Sequence, residues 1–162
     1  MLQKSLKAQV FSEAQTNEPI MGDTSNTNLS FYKSLLSEID QDSDLVIFDR
    51  LYLTQAYRAK ITLNSYAEIE NELRAYTPTT VCLLVDEAAI AERVQKAAEH
   101  RHASWGDYIK TKGKTPDEIA DYYIKQQRRR LELLEQSKLP HKIFDTTNHE
   151  YEKIAEEIIK KL

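Results

Sequence analysis

Three short apolar runs, each closing on an aspartate, constrain this chain most. They are LVIFD (Leu45 to Asp49), TVCLLVD (Thr80 to Asp86) and HKIFD (His141 to Asp145). Apolar runs this short, without polar alternation, are the pattern of strands buried on both faces of a sheet. Helical periodicity fills the intervals. Leu29, Tyr32, Leu35, Leu36 and Ile39 recur at helical spacing ahead of the first run. Helices are expected after Asp49 through Tyr57, from Ser65 to Tyr76, from Glu87 to His100, and from about Thr115 to Gln136. Thr115 with Glu118 three residues on, and Pro116 between them, is a capping box with proline at the first helical position. AQVFSEA (Ala8 to Ala14) reads as a further strand, Gln15 to Asn28 as a loop, Arg101 to Pro116 as a polar connection, and the chain from Thr146 onward as a closing helix that Asn148 is suited to cap. Alternating strands and helices predict an α/β three-layer sandwich with a mostly parallel sheet. Ligands bind such sheets at the carboxyl ends of the strands, which puts Asp49 and Arg50 on the functional edge.

The bulk properties remove several alternatives. A chain of 162 residues is read as one domain, 1–162. A net charge of -4 argues against a general nucleic-acid partner. No apolar run approaches the roughly 20 residues of a membrane span, and MLQKSLKAQV lacks the pattern of a signal peptide. A single cysteine, Cys82, rules out an intramolecular disulfide and points to a reducing cytoplasm. The histidines are not spaced as zinc ligands, so no metal site is read from them. Only three glycines occur, Gly22, Gly106 and Gly113, leaving little material for a glycine-rich phosphate cradle.

The order of these segments resembles the P-loop nucleoside and nucleotide kinases, in their thymidylate-kinase-like branch. VIFDRLYLT is similar to that family's strand ending Asp-Arg-aromatic with a later hydroxyl residue. Leu51 stands at the aromatic position and Thr54 at the hydroxyl position. NEPIMG (Asn17 to Gly22) is similar to an Arg-Glu-Pro segment, with Asn17 in place of the arginine. VCLLVDEAAIAERVQKAAEHR looks like the fourth strand, its helix and the start of an arginine-bearing lid, here around 101–116. IFDTTN resembles the last strand and the loop lining an adenine pocket.

The resemblance implies phosphoryl transfer from ATP, with Mg²⁺, to a nucleoside monophosphate such as dTMP or to a nucleoside. It implies catalytic roles for Asp49, Arg50, Arg93 and Arg101: Asp49 as base or partner of hydrated Mg²⁺, Arg50 as the grip on the acceptor phosphate, and the other two as lid arginines. Substrate contacts would come from Glu13, Glu18, Thr54, Tyr57 and Arg58, and nucleotide contacts from Asp145, Thr146 and Thr147. The structural alternatives stay open: a strand-end salt bridge for Asp49 and Arg50, solvated acids for Glu13 and Glu18, core packing for Tyr57. For Arg128, Arg129 and Arg130 a solvated helix face is the better reading. Helices flanking the Asp49 strand offer a face for a homodimer.

One element of the family is missing. No G-x-x-x-x-G-K-[ST] occurs in the sequence. MLQKSLKAQVF reads like the end of the helix that follows such a loop, so the expectation is a kinase lacking roughly its first 20 residues and inactive as given. The absent strand would lie between the strands of Asp49 and Asp86, leaving a gap with unpaired backbone groups or forcing those two strands together. The alternative in another class is a non-catalytic nucleotide-binding or regulatory protein derived from a kinase. A third is a remnant without function.

Overall fold

The computed structural model describes residues 7–16, 25–100 and 103–161. In order they form β1 (Ala8–Phe11), α1 (Glu13–Thr16), α2 (Ser25–Ser37), β2 (Leu45–Phe48), α3 (Tyr52–Ala59), α4 (Ala67–Leu73), β3 (Thr80–Leu84), α5 (Glu87–His100), α6 (Ala103–Lys110), α7 (Pro116–Gln136), β4 (His141–Asp145) and α8 (Tyr151–Lys161). Single 3₁₀ turns at Leu63–Tyr66 and Arg74–Tyr76 flank α4. The architecture is α/β. The strands form two separate parallel pairs, β1–β2 and β3–β4, where the sequence pattern predicts one sheet. The chain divides into two compact units. One holds the residues up to Pro78 with Leu133–Lys138; the other holds Thr79–Glu132 with the residues from Leu139.

In the first unit, β1 and β2 run in register from Ala8 opposite Leu45 to Phe11 opposite Phe48. Phe11 and Phe48 stack with ring centroids 4.6 Å apart. Side chains alternate along a strand, so Val10 and its register partner Ile47 point to the other face. They are 57% and 44% exposed. LVIF is therefore covered on one face only, against the two-sided burial its composition predicts. β1 also stops earlier than AQVFSEA implies. The Ser12 amide and hydroxyl both donate to Gln15 Oε1 at 2.9 Å, which winds Glu13 and Ala14 into α1.

The apolar stripe read from the sequence is the one that packs. Tyr32, Leu35, Leu36 and Ile39 are all buried. Tyr32 and Tyr52 each pack against Tyr66, with centroids 6.0 and 5.6 Å apart. Burial pushes the Tyr32 and Tyr52 hydroxyls far above the ordinary phenol range, so both stay protonated donors. Beside them lies Glu70, only 3% exposed. Its Oε1 accepts from the Tyr52 hydroxyl at 2.9 Å and from Ser137 Oγ at 2.7 Å. Its Oε2 accepts from the Lys138 amide at 3.3 Å. A carboxylate removed from water needs such donors, and here it joins α3, α4 and the segment after α7.

In the second unit, β3 and β4 pair from Thr80 opposite His141 to Leu84 opposite Asp145. Thr80 donates to the Pro140 carbonyl and Thr146 donates to the Leu84 carbonyl. The backbone groups of Val81, Leu83 and Val85 therefore face away from β4. At Val85 the Gln127 side-chain amide meets that edge. Its Nε2 donates to the Val85 carbonyl at 2.8 Å, and its Oε1 accepts from the Val85 amide at 3.1 Å. Leu83 and Ile143 are 52% and 49% exposed, so TVCLL and HKIF also fall short of two-sided burial.

The capping box opens α7 as read. Thr115 Oγ1 accepts from the Glu118 amide at 3.2 Å, and Glu118 Oε2 reaches one residue past the cap to the Lys114 amide at 2.6 Å. Gly113 is needed just before it, because a Cβ there would lie 2.7 Å from Ile119 N. Several boundaries differ from expectation. α1 runs to Thr16 and α2 starts at Ser25, both inside the stretch Gln15–Asn28 read as a loop, and the helix expected over Ser65–Tyr76 is α-helical only over Ala67–Leu73. The connection 101–116 contains α6. The closing helix begins at Tyr151, too late for Asn148 to cap it, because His149 turns left-handed at φ 58° and donates its amide to the Thr146 carbonyl. Arg128, Arg129 and Arg130 are exposed and pair with Glu87, Glu132 and Gln126. Among the described residues no helix is long and apolar enough to cross a membrane.

The Glu70 network carries a stability prediction. Replacing Glu70 with Ala removes the shared acceptor of two hydroxyls and an amide, leaving Tyr52 and Ser137 only their 3.3 Å contact with each other, and a loss of about 1–3 kcal/mol is expected in denaturant unfolding. A loss within experimental error would show that water replaces the carboxylate.

Candidate functional site

The carboxyl ends of β1 and β2 are bound to each other. The Asp49 amide donates to the Phe11 carbonyl at 2.9 Å. Thr16, 2% exposed, donates its hydroxyl to the Asp49 carbonyl at 2.6 Å. The turns after the two strands thus form one ledge. On it, Arg50 takes a left-handed backbone conformation, φ 62°, which a residue with a Cβ adopts at some cost in strain. Its Nη1 lies 2.5 Å from Glu13 Oε1, and both side chains are over two-fifths exposed. The Asp49 side chain is exposed on the same ledge. α3 starts two residues later and carries Thr54, Tyr57 and Arg58 at spacings of three and four, on one side of the helix.

The other predicted residues lie in the second unit, at the carboxyl ends of β3 and β4. Arg93, on α5, donates from Nη1 to Thr146 Oγ1 at 3.2 Å and from Nη2 to the Thr146 carbonyl at 2.9 Å. His149 Nδ1 and the Tyr151 hydroxyl lie 2.9 and 2.7 Å from the same Nη2. That nitrogen has two hydrogens for three neighbours, so this end of the Arg93 guanidinium is engaged in holding the loop after β4. Thr146, 3% exposed, passes its own hydroxyl proton to the Leu84 carbonyl at 2.7 Å. Asp145 accepts from the Thr147 hydroxyl and, at 2.8 Å, from the Thr147 amide. These two bonds, the hydroxyl's first, hold its carboxyl below the usual range, and the Arg93 charge adds a smaller pull. Asp86 caps α5 through the Ala88 amide at 2.8 Å.

The structure therefore joins Glu13 to Arg50, Arg93 to Thr146, and Asp145 to Thr147. Glu18 and Arg101 lie outside the described residues, as does the stretch 1–6 read as a helix end. The sequence reading passed over Glu70, although a carboxylate set among Tyr66, Ile69 and Leu73 on a buried helix face is a legible signal. It also passed over His149 and Tyr151, which meet Arg93 only because of the left-handed turn.

Clefts open in each unit. One of about 190 Å³ in the first unit is lined by Leu63, Asn64, Ala67, Glu70, Gln136 and Lys138. One of about 330 Å³ in the second is lined by Lys112, Gly113, Glu118, Asp121, Tyr122 and Lys125. Neither includes Asp49 or Arg50, both of which are exposed. Among the described residues no group of three or more His, Cys, Asp or Glu could by itself hold a metal ion, and Gly106 and Gly113 lie on α6 and before α7, not in a strand-to-helix loop.

The lowered Asp145 carboxyl fixes a sign. A group whose folded value is depressed contributes stability above the ordinary carboxylate range and loses it as acid takes the pH through the folded value. Thr147→Val removes the hydroxyl bond. The Asp145 midpoint, followed by carboxyl-carbon NMR, should move up toward the ordinary range, and this acid-side contribution should shrink. An unmoved midpoint would assign the depression to the amide and the Arg93 charge.

No family model matches the chain, and no curated protein or solved structure matches it.

Proposed function

We propose that this chain is a nucleoside- or nucleotide-kinase-like protein of the thymidylate-kinase-like branch, and that the β1–β2 ledge binds the phosphate of a nucleoside monophosphate such as dTMP. The observation that carries the reading is Arg50, set at a strand's carboxyl end in a left-handed backbone with its guanidinium presented to solvent. A planar fork of donors suits a phosphate better than a point charge does. Exposed Asp49 beside it offers an acceptor for a hydroxyl proton. Thr54, Tyr57 and Arg58 supply polar and aromatic groups one helix away.

The strand pairing supports the same reading. The resemblance puts one further strand between those of Asp49 and Asp86. Without it, the pairs that remain are those of the Asp49 strand with the strand before it and of the Asp86 strand with the last one, which are the two sheets found here. In this reading Asp145, Thr146 and Thr147 form the loop of the nucleotide side, steadied by Arg93. The 162 residues carry no triphosphate cradle, so the proposal for this polypeptide is acceptor binding without turnover.

Titration calorimetry with dTMP tests it. Binding should weaken about tenfold in Arg50→Gln, the loss of a charge-assisted hydrogen-bonding partner. A coupled assay with Mg²⁺-ATP and dTMP should show no product. Absence of dTMP binding would overturn the acceptor reading, and steady turnover would overturn the claim that this polypeptide does not catalyse.

A further inference from the structure

We infer that Glu13 is a gate on Arg50: its carboxylate occupies the place at the guanidinium where a ligand's phosphate oxygen would sit, and an anionic ligand enters by displacing it. The inference rests on the acceptor reading of the ledge and adds a means of control to it.

The ion pair is built by the fold at both ends. Glu13 and Thr16 belong to the same single helical turn, and Thr16 is buried with its hydroxyl on the Asp49 carbonyl at 2.6 Å. That bond fixes where Glu13 stands relative to the turn after β2. On the other side, the Asp49 amide is tied to the Phe11 carbonyl, and Arg50 follows it in the left-handed region. The two charged groups therefore meet at 2.5 Å with backbones that cannot easily drift apart. A carboxylate and a phosphate present similar oxygens to a guanidinium fork, so both compete for one site. The pair is also exposed, and exposed pairs are weak, so a dianionic phosphate can displace Glu13 where a neutral nucleoside cannot.

The test compares the full chain with Glu13→Gln and Arg50→Gln, titrated with dTMP and separately with thymidine. Glu13→Gln keeps the size of the side chain and one acceptor oxygen and removes its charge. If Glu13 gates, this variant binds dTMP about two- to fivefold tighter, the scale of one exposed ion pair, while thymidine affinity is unchanged. Equal or weaker dTMP binding by Glu13→Gln, with wild-type binding that still needs Arg50, overturns the gate and leaves the acceptor reading standing with Glu13 as a positioning residue. No dTMP binding by either wild type or Glu13→Gln overturns both. Circular dichroism and thermal melting of each variant confirm that the comparison is between folded proteins.

Discussion

The candidate site depends on one pair of hydrogen bonds: Asp49 amide to Phe11 carbonyl, and Thr16 hydroxyl to Asp49 carbonyl. Parallel strands leave on the same side of their sheet, and the chain after each must turn away. Here both turns are clamped to each other at the moment of leaving. The clamp converts two flexible exits into one surface and sets an acid from the first beside a base from the second. Without it, Glu13 and Arg50 would be two long side chains on separate loops, and ordering them would cost more than an exposed ion pair returns.

Two-stranded parallel sheets are an uneasy home for such a ledge. Parallel strands are normally covered on both faces, and an isolated pair of strands is marginal in water. Val10, Ile47, Leu83 and Ile143 remain near or above half exposure. The stability of each unit must therefore come from elsewhere. In the first it comes from the stripe of α2, the three packed tyrosines and the Glu70 network. In the second, Gln127 does locally what a neighbouring strand would do, giving Val85 both a donor and an acceptor at an otherwise open edge.

Much of the element order was legible in the sequence. Glu87–His100 and His141–Asp145 carry their expected limits, and the capping box at Thr115 is formed. These succeed because periodicity and cap chemistry are local. The expected coverage of the strands on both faces fails for the opposite reason. Composition tells that LVIF and TVCLL are strands, but their coverage depends on what packs from elsewhere in the chain. The site was half legible. Strand-end logic located Asp49 and Arg50, whereas the Glu13 contact depends on a turn of helix that β-favouring residues concealed. His149 was invisible, since a left-handed histidine has no sequence signature as dependable as glycine's.

The two arginines expected to serve chemistry show why residue type alone does not decide role. Arg93 and Arg50 both stand where strands end, and both are charged under all ordinary conditions. Arg93 has its guanidinium among a carbonyl, two hydroxyls and an imidazole of the loop after β4 and the start of α8, so a ligand taking its Nη2 would compete with bonds that hold the loop. Among the described residues Arg50 pairs with the exposed carboxylate of Glu13, a side-chain contact and not a backbone bond. A ligand can use only those donors whose present partners are exchangeable. By that criterion the ledge suits the proposed anion better than the Arg93 loop does.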